Sequence, residues 1–283
     1  MRALIVGIDG TIGALLAQRL AGKGWSVAGT SRRAGSRAIA LDLAADDAAV
    51  MDLPAVDVAF FCAAMARFAD CRERPELTHR VNVSTPVALA TRLAAAGTRV
   101  VLLSTSAVFD GSRPFSPADR PVCPASAYGA QKAEAEAGFL ALGARAAVLR
   151  LTKVIHPGFS LFAGWLDRLR RGEAIRAFTD LTVAPLLPEH VTDALEAVAL
   201  DAGGGIYQVS GARDIPYFEA AAWLARHVGA NATLVEAGTT AEAGLPAGEV
   251  LAFTSLDCAR LTALSGFVPP EPEAVLAWPV QHE

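Results

Sequence analysis

No two of the four cysteines, Cys62, Cys71, Cys123 and Cys258, stand in a CxxC or other paired spacing. That pattern argues against a zinc ribbon, a disulfide framework and a dithiol redox motif, and suits reduced thiols in a cytoplasmic protein. The five histidines are scattered without HxxxH or HExxH spacing, so no metal site is expected. A strong charge is missing too: 25 Lys and Arg against 29 Asp and Glu leave a net charge of -4, and neither nucleic acid nor an anionic membrane is an expected partner. No apolar stretch approaches about 20 residues without charge, glycine or proline, so no membrane span is expected. The opening MRALIVGIDGTIGALLAQRL has a basic residue and an apolar run, but Asp9 and glycines interrupt it and no cleavage site follows, unlike a secretory signal. Repeats and low-complexity tracts are absent.

What is present is ample core material: 53% hydrophobic and 19% charged residues over 283 positions. That length suits one large α/β domain, or a domain with a smaller companion. Short apolar runs recur at 2–7, 25–31, 38–43, 56–64, 99–109 and 145–152, with helical patterns between most of them, notably 11–24 and 75–97. Strands alternating with helices predict an α/β fold, a Rossmann-type doubly wound parallel sheet covered on both faces. After Thr152 the alternation loosens into a helix near 160–171, a capped helix from about 188, a short strand at 205–211, a helix at 216–230 and a proline-rich tail. This predicts a smaller, interleaved C-terminal α+β substrate lobe. The expected division is a nucleotide-binding domain over 1–152, with a return segment around 184–210, and a substrate lobe from 153–183 and 211–283.

Directly after the first strand comes GIDGTIG, and then a helix. This GxxGxxG loop stands in the strand–turn–helix setting of a dinucleotide fingerprint, with Gly7, Gly10, Thr11, Ile12 and Gly13 expected around a pyrophosphate. Asp9 beside a phosphate is expected to point outward or to bond local backbone amides. An NAD site places an acid about 20 residues on, for the ribose 2′-hydroxyl. Here that place reads Ser31-Arg32-Arg33, and the next acid is Asp42. Two guanidiniums in place of a carboxylate suit the 2′-phosphate of NADP, with NAD the lesser candidate.

Of only three tyrosines, Tyr128 stands four residues before Lys132, on one face of an alanine-rich helix. An ammonium beside a phenol favours the phenolate, so a lowered phenol pKa and proton delivery to a carbonyl oxygen are expected.

With these residues assembled, the chain resembles the extended short-chain dehydrogenase/reductase family, and within it most closely the dTDP-4-dehydrorhamnose reductases. The resemblance runs nearly the whole length. It rests on the glycine loop, on FFCAAMARFADCRERPELTHRVNV, on STSAVFDGSRPFSPADRPVCPASAYGAQKAEAE and on APLLPEHVTDAL. It implies Tyr128 as proton donor, Lys132 as ribose ligand that lowers the tyrosine pKa, and Thr105 as donor to the carbonyl oxygen, with Ser104 and Ser106 as neighbouring alternatives. It implies Asp42 and Leu43 near the adenine, Cys62, Ala63 and Ala64 along the middle of the cofactor, and Asn82 as a supporting polar residue. The chain departs from the group in reading SA after the serine-threonine, and in carrying Lys153 where neutral residues are usual.

The resemblance implies a nucleotide-sugar substrate. Candidate contacts are Ser106, Phe109, Arg113, Lys153 and the arginines Arg168, Arg170, Arg171 and Arg176. Basic residues near a helix C-terminus equally serve the helix dipole and face water, while Trp165 and Trp223 at helical positions are expected in the core. The expected enzyme is an NADPH-dependent reductase of a 4-keto nucleotide-diphosphate sugar. Two alternatives stand beside it: an NAD-dependent epimerase or dehydratase, and a non-catalytic NADP-binding regulatory subunit. A homodimer would be usual for the family.

Overall fold

The protein, seen in a computed structural model, is described over residues 1–33, 38–156 and 159–281. Eleven strands lie among the described residues: β1 (Arg2–Val6), β2 (Ser26–Ser31), β3 (Ile39–Ala40), β4 (Val58–Phe61), β5 (Arg99–Thr105), β6 (Ala146–Leu151), β7 (Ile175–Phe178), β8 (Thr182–Val183), β9 (Gly205–Val209), β10 (Ile215–Pro216) and β11 (Val235–Gly238). The helices are α1 (Thr11–Gly22), α2 (Phe68–Glu73), α3 (Pro75–His79), α4 (Thr85–Ala95), α5 (Ala127–Leu140), α6 (Ser160–Arg170), α7 (Pro188–Leu200), α8 (Tyr217–His227), α9 (Ala259–Ser265) and α10 (Pro272–Gln281).

Seven strands form one parallel sheet in the order β3-β2-β1-β4-β5-β6-β9. The chain runs outward from β1 through β2 to β3, then crosses back to β4 on the other side of β1. A crevice therefore opens at the carboxyl ends of β1 and β4, the switch point where open α/β sheets bind ligands.

Alternating strand residues feed two cores. Ala3, Ile5, Val58, Phe60, Val101 and Leu149 face Leu16 and Leu20 of α1 and Val191, Leu195 and Val198 of α7. Leu4, Val6, Ala59, Phe61, Leu102 and Val148 face Leu89 and Leu93 of α4 and Ala135 and Phe139 of α5. Each run is apolar throughout because both sheet faces are covered. On the first face α1 and α7 are also joined by ion pairs from Arg19 and Lys23 to Glu196, at 2.6 and 2.5 Å.

A third core lies apart from the sheet. Phe162, Trp165, Leu166 and Leu169 of α6 pack with Ala220, Ala221 and Leu224 of α8 and with Val275 and Leu276 of α10. Two small sheets border it, parallel β11–β7 and antiparallel β10–β8.

Several boundaries differ from the sequence expectation. The run 38–43 pairs only at Ile39–Ala40, because Asp42 turns the chain by accepting the Ala44 amide at 3.0 Å. The strand expected over 99–109 stops at Thr105, whose hydroxyl accepts the Ala107 amide at 3.2 Å and opens a 3-10 turn over Ser106–Val108. The helical pattern 75–97 carries a π turn, Arg80–Ser84, just ahead of Pro86. A proline lacks the N–H that the fourth carbonyl back would receive, and its ring crowds that carbonyl; a widened turn relieves both. The proline-rich tail is helical over Pro272–Gln281, with Pro272 in the first turn, where no amide donor is needed.

Candidate active site

The crevice is a cleft of about 500 Å³ that passes the glycine loop, the ends of β2 and β4 and the turn after β3. Two glycines make the loop possible. Gly7 has φ +89°, and a side chain there would stand 2.7 Å from the Ala63 methyl. At Gly13 an added carbon would collide with the Gly7 carbonyl oxygen, so only glycine lets α1 start this close to β1. Gly10, by contrast, caps α1 in extended conformation, where an added carbon would meet only the Gly7 carbonyl oxygen at an ordinary contact of 3.4 Å. The first amides of α1 have no partners within the helix, and Gly7, Asp9 and Gly10 just before them line the cleft, the setting in which a helix start receives an anion. The loop is anchored by the Gly7 and Ile8 amides, which both donate to the Thr30 carbonyl, at 3.2 and 3.1 Å.

At one end of the cleft stand Asp9, Ser31, Arg32 and Arg33. Asp9 neither points outward nor bonds backbone amides of its own loop: its carboxylate accepts the hydroxyl proton of Ser31, which is 5% exposed. Ser31 in turn accepts the Arg33 amide at 2.9 Å. Arg32 and Arg33 are exposed, and the rest of that basic turn, 34–37, lies outside the described residues. Asp42 and Leu43 line the neighbouring wall, with Leu43 buried and its carbonyl held by the Thr85 hydroxyl at 2.9 Å.

Cys62, Ala63, Ala64 and Met65 line the middle. Asn82, 1% exposed on the π turn, holds this segment through both ends of its amide: it accepts from the Met65 amide at 2.8 Å and donates to the Met65 carbonyl at 3.0 Å. It also donates to Gln131 Oε1 at 2.9 Å, which ties the segment to α5 one residue before Lys132. Neither Gln131 nor Met65 was singled out by sequence. The Cys62 thiol is pushed up to about 12 by burial, against the pull of Lys132, so it is protonated and unreactive at neutral pH.

Tyr128 and Lys132 lie in the first turns of α5, whose N-cap Ser126 accepts the Gly129 amide at 3.1 Å. Gly129 sits where any side chain would strike the Ala107 carbonyl, so it brings α5 against the Ser106–Val108 turn. Tyr128 is half-buried and packs on Phe68, ring centroids 5.8 Å apart. Sequence reasoning expects a lowered phenol pKa; here burial raises it above 10, with a smaller push from Cys71. Both causes push the phenol upward, and Lys132 is not one of them. The Lys132 ammonium is 2% exposed, donates to the Leu103 carbonyl at 2.8 Å, and is brought down to about 8 by burial, against the opposing pull of Glu136 and Cys62.

The three hydroxyls at the end of β5 have different surroundings. Ser104 is 4% exposed and donates to Glu136 at 2.5 Å, in a buried network with Arg150. Arg150 binds the same carboxylate through Nε at 3.0 Å and Nη2 at 2.7 Å. Ser106 is buried at the start of the turn, and Thr105 is partly exposed at the strand's end. The sequence signal for the network is an arginine inside the apolar run AAVLRLT.

Phe109 is 2% exposed, with the guanidiniums of Arg120 and Arg150 5.2 and 5.0 Å from its ring centroid, so it is a core residue with no face for substrate. Lys153 follows β6 with its Nζ 4.8 Å from the centroid of Phe159, where loss of water lowers its pKa. Arg168 donates to the Ala174 carbonyl beyond the end of α6, Arg171 pairs with Glu173 at 2.7 Å, and Arg176 pairs with Glu242 at 2.6 Å. Arg113 is exposed on the loop after β5. Trp165 lies in the third core; Trp223 is half-buried and stacks on His227.

Among the described residues no cluster of His, Cys, Asp and Glu could hold a metal ion, and no helix is long and apolar enough to cross a membrane.

Comparison with known proteins matches residues 1–282 to the family described as RmlD substrate binding domain. The chain is 29% identical over 223 residues to a dTDP-4-dehydrorhamnose reductase of Mycobacterium tuberculosis, covering 75% of this chain and 72% of that one. It is 33% identical over 154 residues to the methionine adenosyltransferase 2 subunit beta of Xenopus tropicalis, covering 53% of this chain and 46% of that one. A solved dTDP-4-dehydrorhamnose reductase of Clostridium acetobutylicum superposes with a TM-score of 0.87 at 22% identity, over 99% of both chains.

Proposed function

The chain belongs to the RmlD substrate binding domain family of extended short-chain dehydrogenases/reductases, and from that premise we propose that it is an NADPH-dependent reductase of a keto group on a nucleotide-diphosphate sugar. The observation that carries this reading is the cleft, lined by the glycine loop, by two arginines and by Cys62–Met65, a segment that Asn82 ties through Gln131 to the helix bearing the Tyr–Lys pair. Gly7, Gly10, Thr11, Ile12 and Gly13 hold the pyrophosphate, Arg32 and Arg33 the 2′-phosphate, Asp42 and Leu43 flank the adenine, and Cys62, Ala63 and Ala64 the middle. The cofactor, when bound, supplies the hydride.

The chain's own residues manage the proton. Tyr128 keeps its proton at neutral pH, because burial raises its pKa, and gives it to the carbonyl oxygen as negative charge grows there. Thr105 donates a second hydrogen bond to that oxygen. Lys132 spends one N–H on Leu103 and has two left for ribose hydroxyls. Lys153 and Arg168 are the candidate contacts to the substrate's anionic groups.

Two measurements test the cofactor half. In a fluorescence titration, replacing Arg32 and Arg33 together by alanine is expected to weaken NADPH about tenfold or more and to leave NADH nearly unchanged. Equal losses for both nucleotides would sink the 2′-phosphate assignment. The second is a pH series. Lys132 titrates near 8 and loses its charge above it, so NADPH affinity is expected to fall as pH rises through about 8. Lys132→Met is expected to bind weakly and without that step; a wild-type affinity flat across the window would remove Lys132 from the ribose site. The linked stability has the opposite sign: the folded pKa lies below the ordinary 10.5, so the unfolded chain holds more protons between the two values and stability rises with pH there.

A second reading has its own observation. The similarity to a protein named as a subunit covers half of this chain, so a nucleotide-binding regulatory role is the competing function. Retained biological effect in Tyr128→Phe would favour it.

A further inference from the structure

The acid expected at the end of β2 in an NAD site is missing from this chain, but a carboxylate stands there all the same, delivered by the first loop. Asp9 lies two residues after Gly7, lines the cleft with Ser31, Arg32 and Arg33, and is locked to the buried Ser31 hydroxyl. Ser31 donates its one proton to Asp9 and accepts the Arg33 amide at 2.9 Å, so it has no proton left for a ligand. The remaining lone pairs of the Asp9 carboxylate are acceptors. A ribose 2′-hydroxyl has a proton to give them. A 2′-phosphate at neutral pH carries between one and two negative charges and mostly repels them. Against that repulsion stand two exposed guanidiniums, whose attraction is weakened by water, while Asp9 is half-buried on a buried partner.

We propose that Asp9 sets the nucleotide preference of this site: it accepts the 2′-hydroxyl of NADH and opposes the 2′-phosphate of NADPH. This rests on the reductase reading above and refines its cofactor.

The test is a pair of titrations, NADH and NADPH, on the wild-type chain and on Asp9→Asn. Asparagine keeps an oxygen for Ser31 and removes the charge. The wild type is expected to bind the two nucleotides within about tenfold of each other. Asp9→Asn is expected to raise the NADPH-to-NADH affinity ratio at least tenfold, about 1.4 kcal/mol, chiefly by tightening NADPH. Asp9→Ser serves as a second variant with the charge also removed, and is expected to shift the ratio the same way. A ratio unchanged in both variants, with both nucleotides still bound, would overturn the role of Asp9 and leave the reductase reading intact. A wild type that binds neither nucleotide would overturn both.

Discussion

Replacing Tyr128 by phenylalanine is expected to lower turnover of a 4-keto nucleotide sugar by about 10³-fold, within the range general acids contribute, and to leave NADPH binding unchanged. The assay is NADPH oxidation followed by absorbance with dTDP-4-dehydrorhamnose as probe, beside a fluorescence titration of the same protein. The argument is electrostatic. A phenol whose pKa burial has raised is fully protonated at neutral pH, which suits a donor in the reducing direction. The hydroxyl is lost in the variant while the ring keeps its packing on Phe68. Affinity should therefore hold while kcat falls, the signature of an interaction made only in the transition state. Turnover within a few-fold of wild type would mean that the proton comes from elsewhere, and Thr105 would be the next group to replace.

The largest stability effect is expected at Glu136. Its carboxylate and the Arg150 guanidinium are 3% and 2% exposed, 2.7 Å apart, between α5 and the centre of the sheet. Arg150 also donates to the Ala118 carbonyl at 3.1 Å, and Ser104 to Glu136 at 2.5 Å, so the pair links β5, β6, α5 and the loop before α5. Glu136→Ala strands a buried guanidinium, at a cost of about 3–5 kcal/mol, and should lower the thermal midpoint by on the order of 10 °C. The combined change of Ser104→Ala, Glu136→Leu and Arg150→Met removes both charges and is expected to recover most of that loss, since burying an ion pair itself costs desolvation. Thermal and urea unfolding of the three proteins decide it. A single variant that loses under about 1 kcal/mol would mean that water reaches the guanidinium, and that the network is weaker than its burial implies.

Much of this site is legible in the residues themselves because its requirements are local. A loop that must pass close to a second strand tolerates no Cβ, so Gly7 and Gly13 stand out in the text of the chain as they do in space. A helix puts positions four apart on one face, so Tyr128 and Lys132 could be paired without coordinates. Strand and helix alternate at a spacing that fits only a parallel sheet, and the sheet is there in the order β3-β2-β1-β4-β5-β6-β9.

Other features depend on groups distant in the chain. The sequence offers three hydroxyls in a row at residues 104–106; tertiary structure commits Ser104 to Glu136, 32 positions away, and buries Ser106, which leaves Thr105 at the strand's end as the least buried of the three. It also turned the expected phenol shift around, because desolvation of a ring packed against Phe68 of α2 raises the pKa, while the Lys132 ammonium donates its hydrogen bond to the Leu103 carbonyl. Phe109 looked available beside the active strand, yet two guanidiniums cover it. Asp9 and Ser31, 22 positions apart, meet only because β1 and β2 lie side by side. Backbone conformation and helical spacing are decided by neighbours in the chain, so sequence alone determined the strand–loop–helix cradle and the Tyr–Lys pair. Burial and charge are decided by whatever the fold brings alongside, and so only the tertiary structure determined which hydroxyl is left least buried, which side of 10 the phenol titrates on, and where Asp9 delivers its carboxylate.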